Sequence, residues 1–500
     1  MPRRAGELRR LRTWAAALCA MAGAAAPVGA QSPVRPCRVE GIKAAVQCGV
    51  ISRALDPAKP DGIRIDVHYV VVPALARHKR PDPVFFIAGG PGQSAIEVAP
   101  MVLQLLARLN NRRDLVFVDQ RGTGRSAALK CEDQRHSPLN EQMDAGAREA
   151  FISRCLTQLR KLPHGDPRQF TTPVAMRDLD AVRRSLGAAT INLVGVSYGT
   201  RAVLDYMRQF PHAVRRSVLD GVAPPDMVLP LSYSTDGQAA LDALLDACDQ
   251  QPACRSSHPG LRADWAQLLA SLPKSALLAH PLTGQPEQLT ITRETVLGMV
   301  RSSLYSPVPA SALPVAINEA AHGRWNALVG LSVGAESRRA GELATGMHFS
   351  VVCAEDAPRM QQAGDPPGTD FGVEFGRVYQ RVCAYWPRGE VPAAYFEIPP
   401  ATAMTLLLSG GLDPVTPPRH GERVTRALGP KARHVVVPNA GHGVMALGCM
   451  RDVVVRFIES AEDADAAQLD TTCAQGIPRP PAFMPIAAAP DGASAAGTPP

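Results

Sequence analysis

A serine between two glycines is the first feature of the sequence with clear chemical meaning. Ser197 stands in Gly195-Val196-Ser197-Tyr198-Gly199, at the end of the strand-like run 191–196 and before a helical segment that stops ahead of Pro211. This order of strand, G-x-S-x-G turn and helix is typical of a nucleophile elbow. In such a turn a strained backbone lifts the serine hydroxyl out of a sheet, and the small glycines let strand and helix approach. We therefore expect Ser197 to be a nucleophile.

A serine hydroxyl needs a base to take its proton, and the base needs an acid to orient it. On a parallel α/β sheet these groups follow the chain order serine, acid, histidine. Asp413 follows the predicted strand 404–408, and His442 follows the predicted strand 434–437 in a loop flanked by glycines. Both loops leave the carboxyl end of a strand, where such sheets bind ligands. We expect Asp413 to be the acid and His442 the base. The alternatives are Asp220 for the acid and His420 or His434 for the base.

A glycine-rich turn offers donors for a negatively charged oxygen. The turn Ala88-Gly89-Gly90-Pro91-Gly92 follows the predicted strand 84–87. We expect the backbone N–H of Gly89 or Gly90, together with that of Tyr198, to form an oxyanion hole. The turn has neither the G-K-[ST] ending nor the G-x-G-x-x-G spacing of the usual phosphate-binding loops. The segment 119–126, after the next strand, is expected to brace the site rather than to react.

Short β-branched runs alternate with helical segments along much of the chain. The predicted strands are 63–72, 84–87, 115–118, 191–196, 217–219, 404–408 and 434–437. A helix is predicted up to Gly187, with Thr172 as its N-cap and Pro173 in its first position. This rhythm predicts an α/β fold with a mostly parallel sheet and helices on both faces.

The alternation is interrupted in one long stretch where helical segments dominate. We therefore divide the chain into a signal peptide (1–30), the first part of an α/β core (31–223), a mainly helical cap (224–400), the second part of the core with acid and base (401–475), and a disordered tail rich in proline and alanine (476–500). No internal repeats are visible.

The first 30 residues have the features of a secretory signal. An arginine-rich start is followed by the apolar run 14–26 and by a small-residue cleavage site at 28–30. A membrane anchor is the alternative, but the run is short and rich in alanine, and a spanning helix needs about 20 strongly apolar residues. We expect the mature chain to begin near Gln31 and to be exported, either to the periplasm or out of the cell.

Composition and charge exclude several classes of protein. With 46% apolar and 20% charged residues the chain is globular rather than disordered. The signal region holds five Arg and one Glu, so its removal lowers the net charge from +7 to about +3. No dense run of Lys and Arg indicates nucleic-acid binding. No second stretch is long and apolar enough for stable membrane insertion after signal cleavage.

The cysteines indicate disulfides rather than a metal site. Cys19 lies in the predicted signal, and ten of the eleven cysteines remain after its removal, an even number in an exported protein. The sequence does not fix their connectivity, but pairing each with its neighbour closes loops of modest length. The favoured pairs are Cys37 with Cys48, Cys131 with Cys155, Cys248 with Cys254, Cys353 with Cys383, and Cys449 with Cys473. The sequence contains no C-x-x-C or paired Cys/His spacing, so we expect no metal.

Five segments together resemble one known group of enzymes. They are GGPGQS (89–94), DQRGTGRS (119–126), GVSYGT (195–200), GGLDPVTP (410–417) and NAGHG (439–443). They resemble the proline iminopeptidase-like family of α/β hydrolases, especially its secreted tripeptidyl aminopeptidase branch, over 64–221 and 401–473. The resemblance implies the α/β-hydrolase fold and removal of residues from a free peptide amino terminus, with Ser197, Asp413 and His442 in the positions of the family's triad.

The resemblance also implies how substrate is held. Members of the family bind the free amine with acidic residues of the cap, and Glu355 and Asp356 near the end of the predicted cap are the candidates here. One position departs from the pattern, because relatives often carry His immediately before the GGPG turn and this chain has Ala88.

We therefore expect a serine peptidase that acts on short peptides or aminoacyl amides through an acyl-enzyme, without metal or organic cofactor. The first alternative is an esterase that uses the same three residues on small esters, since the fold does not choose between amide and ester. The second is a binding protein without activity. A requirement for a free α-amine separates peptidase from esterase, and loss of a triad residue would mark the binding protein.

Overall fold

The computed structural model describes residues 33–337, 343–362 and 364–484. The predicted signal peptide (1–30) lies outside these ranges, as does 485–500 of the predicted tail. The strands in chain order are β1 (Val34–Cys37), β2 (Val46–Ala54), β3 (Arg64–Val72), β4 (Val84–Ile87), β5 (Leu115–Val118), β6 (Ile191–Val196), β7 (Val214–Asp220), β8 (Lys274–Ala279), β9 (Pro286–Ile291), β10 (Met404–Gly410) and β11 (Ala432–Val437).

Nine of these strands form one sheet in the order β1-β2-β3-β5-β4-β6-β7-β10-β11. The first three pairings in this order, β1–β2, β2–β3 and β3–β5, are antiparallel. The remaining five pairings, from β5–β4 to β10–β11, are parallel. All residues of β4 and β5 are buried, as expected for parallel strands covered on both faces. Neighbouring side chains alternate between the two cores, so that Phe85 packs on one face and Phe86 on the other. The predicted mostly parallel α/β sheet is confirmed.

The helices cover both faces of this sheet. In chain order they are α1 (Ala95–Asn110), α2 (Leu139–Met143), α3 (Ala145–Leu159), α4 (Thr172–Ser185), α5 (Tyr198–Gln209), α6 (Ser232–Gln250), α7 (Pro252–Ser257), α8 (Leu261–Ala270), α9 (Arg293–Leu304), α10 (Pro307–Ala310), α11 (Leu313–Ala321), α12 (Asn326–Ser337), α13 (Thr345–Glu355), α14 (Glu374–Tyr385), α15 (Pro418–Leu428), α16 (Met450–Glu459) and α17 (Asp463–Ala467). Helices α1 and α16 pack on one face of the sheet, and α4, α5 and α15 on the other.

A long segment separates β7 from β10, and we refer to residues 221–403 as the insert. Helices α6, α8, α9, α11 and α12 share their own apolar core, which includes Leu241, Trp265 and Val296. Helices α13 and α14 instead pack with α3 and with Tyr198 of the sheet domain. The insert therefore has one part with its own core and one part that lies directly against the sheet domain.

Several local features differ from the sequence-based expectation. The insert contains the antiparallel hairpin β8–β9, which the sequence did not reveal because the alanines and leucines of β8 favour helix until the partner strand is present. The helix α4 begins one residue earlier than expected, since Thr171 rather than Thr172 is the N-cap and Thr172 is the first helical residue. Strands β1 and β2 were also not predicted.

The tail prediction is wrong for its described part, 476–484. Asn439 Nδ2 donates to the carbonyl oxygen of Ile477 at 3.0 Å, and the Ile477 side chain packs against the sheet core. Further along, Arg479 Nη1 donates to the Ala243 carbonyl oxygen at 3.2 Å, and the Phe483 N–H donates to that of Ser311 at 2.8 Å. The packed side chains of Ile477 and Ala482 and these hydrogen bonds hold a segment whose composition alone indicates disorder.

Five disulfides join the cysteines in the neighbouring pairs favoured from the sequence. The bridges are Cys37–Cys48, Cys131–Cys155, Cys248–Cys254, Cys353–Cys383 and Cys449–Cys473. Among the helices of the described ranges, none combines the length and apolar character that a membrane crossing requires.

Candidate active site

Ser197 lies in a sharp turn between β6 and α5. Its backbone angles are φ +57° and ψ −126°, a left-handed conformation that a residue with a side chain rarely adopts. The flanking glycines make the turn possible. A Cβ on Gly195 would lie 2.6 Å from the carbonyl oxygen of Gly199, and a Cβ on Gly199 would lie 2.3 Å from that of Ile87. The steric argument made from the sequence for both glycines thus agrees with the packing.

Asp413 and His442 are hydrogen-bonded to each other. His442 Nδ1 donates to Asp413 Oδ2 at 2.8 Å, because a carboxylate oxygen can only accept. Asp413 is almost completely buried, and its other oxygen accepts the N–H groups of Val415 and Thr416 at 2.8 and 2.9 Å. The Thr416 hydroxyl donates to Oδ2 at 2.7 Å. This geometry leaves the imidazole oriented with Nε2 as its free nitrogen, as a general base requires.

The pair is electrostatically coupled. Burial alone would lower the pKa of His442, but the charge of Asp413 and its hydrogen bond outweigh burial and raise that pKa to about 9. Burial would likewise raise the pKa of Asp413, yet the charge of His442 and the hydrogen bonds from His442 and Thr416 hold that pKa below its ordinary value. Asp413 therefore stays ionised and favours the imidazolium that forms during catalysis.

Asp220 connects the turn of Ser197 with the loop of His442. Its carbonyl oxygen accepts the Ser197 N–H at 2.8 Å. Its carboxylate accepts the N–H groups of Val444 and Met445, each at 2.9 Å. The Asp220 carboxylate therefore binds the backbone of the loop that follows His442, not its imidazole. The alternative prediction that Asp220 orients the imidazole is wrong. Next to it, a Cβ on Gly221 would lie 3.2 Å from His442 Cε1.

The two alternative histidines are engaged elsewhere. His420 Nε2 lies 2.9 Å from Asp236 Oδ2, and His434 Nε2 lies 2.9 Å from the Ser409 hydroxyl. Neither contacts Asp413. Of the histidines considered from the sequence, the structure brings His442 alone to the predicted acid.

The turn expected to hold the oxyanion lies against Ser197. A Cβ on Gly89 would be 3.1 Å from Ser197 Cβ, and Gly90 has φ +113°. The N–H of Tyr198 is the first of helix α5, and the first N–H groups of a helix have no intrahelical partner. The backbone of Gly89, Gly90 and Tyr198 is thus gathered beside the hydroxyl, where a negatively charged oxygen would develop.

Segment 119–126 braces this turn, as expected. Asp119 accepts hydrogen bonds from the Ser94 hydroxyl at 2.6 Å and the Ile96 N–H at 3.1 Å, at the point where the turn enters α1. A Cβ on Gly124 would overlap the Asp119 carboxylate. The segment therefore supports the turn from behind.

Helix α13 of the insert holds the turn from the other side, which sequence reasoning missed. The Ala344 N–H donates to the Gly92 carbonyl oxygen at 2.9 Å. His348 Nδ1 lies 3.3 Å from the Pro91 carbonyl oxygen, to which it donates, and Nε2 lies 3.0 Å from the Tyr379 hydroxyl, from which it accepts. Burial lowers the pKa of His348 to about 4, so the imidazole is neutral. A single His in an apolar helix was the only sequence signal.

Tyr305 is a second residue that the sequence did not reveal. Its carbonyl oxygen accepts the His442 N–H at 2.8 Å, and its ring packs edge-on against the imidazole with ring centres 5.1 Å apart. The insert therefore touches both the base and the oxyanion turn.

Glu355 and Asp356 do not line the site, which corrects the amine-binding prediction. Both side chains are fully buried. Glu355 accepts the Thr172 N–H at 2.7 Å and the Tyr395 hydroxyl, while Asp356 accepts Arg201 Nη1 at 3.0 Å. Burial raises the pKa of Glu355 to about 7, although nearby Arg201 opposes this shift. Asp356 thus bonds the buried guanidinium of Arg201 on α5, and Glu355, with one oxygen 3.8 Å from the same guanidinium, adds a second compensating charge.

No group of three or more His, Cys, Asp or Glu side chains among the described residues is arranged to hold a metal.

Comparison with known proteins shows what this chain is similar to. The model of the α/β hydrolase fold matches residues 82–288, and that of TAP-like proteins matches 370–473. A curated relative, serine protease Hip1 of Mycobacterium tuberculosis, is 26% identical over 438 residues, which cover 79% of this chain and 82% of the relative. The tripeptidyl aminopeptidase of Streptomyces lividans is 32% identical over 198 residues, 36% of each chain.

Among solved structures, an esterase from Exiguobacterium antarcticum is 14% identical and aligns over 79% of this chain and 96% of its own with a TM-score of 0.33. The fold assignment rests on the model match over 82–288, on the sheet order and on the turn around Ser197. The chain has the α/β-hydrolase fold, and its residues 370–473 are similar to TAP-like proteins.

Proposed function

We propose that the chain is a serine peptidase that removes single residues or short peptides from a free amino terminus, with Ser197, Asp413 and His442 as its catalytic residues. The proposal rests chiefly on one combination of site geometry and sequence similarity. The hydrogen-bonded Asp413–His442 pair and the strained Ser197 turn occur in a chain that is similar, over 79% of its length, to a protein named a serine protease. The tripeptidyl aminopeptidase similarity supports the same chemistry at a peptide amino terminus.

Acylation follows from the arrangement of the three residues. His442 Nε2 takes the hydroxyl proton as Ser197 Oγ attacks the scissile carbonyl carbon. The carbonyl oxygen becomes negatively charged and accepts hydrogen bonds from the backbone N–H groups near Gly89, Gly90 and Tyr198. The imidazolium then donates its proton to the leaving amine as the C–N bond breaks, which leaves an ester on Ser197.

Deacylation repeats these steps with water. His442 removes a proton from a water molecule, whose oxygen attacks the ester carbon, and the proton returns to Ser197 Oγ as the carboxylic acid leaves. Asp413 stabilises the imidazolium in both halves of the cycle and remains ionised throughout.

Residues 224–400 act as the cap over this site. The contacts of Tyr305 with His442 and of His348 with Pro91 support the role, because they bring insert side chains to both ends of the catalytic array. Substrate selection then depends on the insert rather than on the sheet.

Export completes the proposal. Five disulfides are consistent with an oxidising compartment, and residues 1–30 serve as the cleaved signal. Amino-terminal sequencing of the secreted protein is expected to give a start near Gln31. A mature chain that still begins at Met1 would contradict cleavage.

Activity is best tested with matched substrates and purified mature protein. The panel contains Pro-, Ala- and Ala-Ala-Pro-linked chromogenic amides, their N-acetylated forms and a short-chain acyl ester. A peptidase of this kind cleaves the free-amine amides and loses activity when they are acetylated, and the preferred length identifies the product. Ser197→Ala is expected to lower turnover by about 10⁶-fold.

The short-chain acyl ester in the panel distinguishes a peptidase from an esterase. Cleavage of the ester alone would identify an esterase with the same triad. A folded protein that cleaves nothing and leaves Ser197 unlabelled by a fluorophosphonate would instead overturn the assignment of the three residues.

A further inference from the structure

An arginine enclosed by aromatic rings lies near the predicted base. The guanidinium carbon of Arg301, on α9, is 4.7 Å from the ring centre of Phe375, 5.0 Å from that of Tyr233 and 5.8 Å from that of Tyr305. These distances fall within the range of cation–π contacts. The three rings come from separate parts of the insert, so they hold the cation in a defined position.

Arg301 has no carboxylate partner in the part of the chain that the structure describes. Its Nη1 lies 3.4 Å from the Tyr305 hydroxyl, and its Nε is buried without a hydrogen-bond partner. By contrast, Arg293 on the same helix is bonded to the Asp370 carbonyl oxygen at 3.0 Å. Aromatic faces replace only part of the hydration that a guanidinium loses on burial, and they supply no acceptor for its in-plane N–H groups.

Contacts connect this arginine to both ends of the catalytic array. Tyr305 packs against His442 on one side. On the other, the Phe375 ring stacks on that of Tyr379 with centres 6.2 Å apart, and the Tyr379 hydroxyl bonds His348, which reaches the oxyanion turn. We name Tyr305, Arg301, Phe375, Tyr379 and His348 the rim. It runs from the base to the oxyanion turn, and Arg301 is its one guanidinium.

A cavity of about 230 Å³ adjoins the rim. Arg301, Tyr233 and Phe375 contribute to its wall, and the apolar side chains of Leu297 and Phe371 contribute as well. Such a wall accommodates the carbon stem of a side chain. Of its two arginines, Arg293 is bonded to Asp370, so the Arg301 guanidinium is the cation left available to a substrate anion. Three acids also line the cavity. Glu374 pairs with Arg377, Asp370 lies 3.6 Å from Arg293, and Glu294 is exposed to solvent.

We propose that Arg301 is a specificity residue that binds a carboxylate group of the substrate. The proposal rests on the function proposed above and names its substrate class: peptides that carry an acidic side chain near the scissile bond or a free α-carboxylate just beyond it. The planar guanidinium would form paired hydrogen bonds with the carboxylate, while the cavity takes the rest of the residue.

Substrate pairs that differ only in charge test the proposal. Free-amine peptide amides with Glu or Gln, and with Asp or Asn, at each of the two positions before the scissile bond form one set. Peptides with a free or amidated carboxyl terminus one residue beyond the bond form the other. Wild type is expected to favour the carboxylate member of at least one pair by about tenfold in kcat/KM, as one charge-assisted hydrogen bond provides.

Two variants locate the effect. Arg301→Met keeps the length of the side chain and is expected to remove the preference, with hydrolysis of the neutral member largely retained. Arg293→Met is the matched control on the same helix and cavity wall, and it is expected to leave the preference intact. Equal kcat/KM within every pair for wild type, or an equal loss for both members in Arg301→Met, would overturn the proposal.

Binding without turnover separates this proposal from the peptidase assignment. Calorimetry on Ser197→Ala measures affinity for the same peptides whether or not they are cleaved. Tighter binding of the acidic member to Ser197→Ala than to the Ser197→Ala, Arg301→Met double variant supports the arginine site even if the enzyme is an esterase. Cleavage of the panel without any carboxylate preference retains the peptidase and rejects the site.

Discussion

Two buried carboxylates stand close to Ser197, and their roles differ because of what they accept. Asp413 accepts the imidazole N–H of His442, whereas Asp220 accepts the backbone N–H groups that follow His442. The first sets the tautomer and charge of the base. The second fixes the path of the loop that carries the base and, through its carbonyl oxygen, the turn of the nucleophile.

Asparagine substitutions are expected to separate these roles. Asp413→Asn should lower kcat by about 10⁴-fold, because a neutral amide allows the wrong imidazole tautomer. Asp220→Asn retains one acceptor oxygen but turns an NH₂ group toward a backbone N–H, so a loss of about tenfold in kcat is expected. Steady-state kinetics on one substrate measure both. Equal losses would contradict the division.

The pH dependence of Ser197 reactivity follows from the pKa of about 9 for His442. The base acts only when unprotonated, so reactivity should rise with pH, with its midpoint above the 6.5 of a free imidazole and toward 9. Removing the charge with Asp413→Asn should move the midpoint to lower pH. The rate of modification by a neutral fluorophosphonate measures this without a titrating substrate amine. An unchanged midpoint in the variant would show that Asp413 does not set the pKa.

Residue types and their loops were sufficient to predict the strained turn at Ser197 and to select Asp413 and His442, which the structure brings into contact, because each follows a strand that the sequence reveals. The contacts of Asp220, Tyr305 and His348 were not predictable in the same way. They depend on which loops meet in space, and no local pattern encodes that meeting. For Glu355 and Asp356 the sequence-based prediction of amine binding failed, because both carboxylates face the buried Arg201 guanidinium and their burial is not visible in the sequence.

At the level of elements, helix α13 is the link between insert and catalytic machinery. Its start binds the oxyanion turn through Ala344 and His348, and its end places Glu355 and Asp356 against α5, the helix that follows Ser197. This helix of 11 residues and the residues that flank it thus contact the glycine-rich turn and α5, which we propose to supply the oxyanion hole. The nucleophile turn is therefore supported by the insert as well as by the sheet.

His348→Leu tests the first contact of this helix. It removes the donor to the Pro91 carbonyl oxygen, so kcat is expected to fall by about tenfold with little change in KM. Affinity for a boronate inhibitor, which mimics the charged intermediate, should fall in parallel. His258→Leu, at another buried histidine of the insert, is the control and should leave both unchanged. A loss in KM alone would argue against support of the oxyanion turn.

Asp356→Asn tests the second contact. Loss of one charge leaves the Arg201 guanidinium with weaker compensation in a fully buried place, and breaking a buried pair costs about 3–5 kcal/mol in unfolding free energy. Chemical denaturation measures this cost. The KM for free-amine substrates should not rise selectively over that for acetylated ones. A selective rise with unchanged stability would restore the amine-binding role.

Strands were predicted correctly where the apolar sequence pattern was strong. They were missed where only pairing with a neighbouring strand determines the structure. The central parallel strands are continuous apolar runs, because helices cover both faces of the sheet and bury nearly all of their side chains. The sequence therefore predicts the ends of these strands to within a few residues. The hairpin β8–β9 and the strands β1 and β2, at one end of the sheet, have mixed composition, and only their hydrogen-bonded partners make them strands. The segment 477–484 shows the same principle for a tail.

For the whole molecule, the disulfides are expected to contribute a large share of stability. The bridge between Cys353 and Cys383 ties α13 to α14 across a separation of 30 residues, and the loop-entropy relation gives about 3–4 kcal/mol for such a loop. Replacing both cysteines with alanine should lower the free energy of unfolding by that order, as measured by denaturant titration. Removing Cys248 and Cys254, separated by 6 residues, should cost less. The reverse order would contradict the relation.

The disulfides also share an order along the chain, since each joins two cysteines that follow one another. A chain that enters an oxidising compartment with its amino terminus first therefore presents each cysteine to its correct partner before the next pair arrives. Interleaved bridges lack this property and depend on slow thiol exchange to correct early errors. If the chain is exported as proposed, its crosslinks can therefore form in chain order, with a thiol oxidant and without disulfide shuffling.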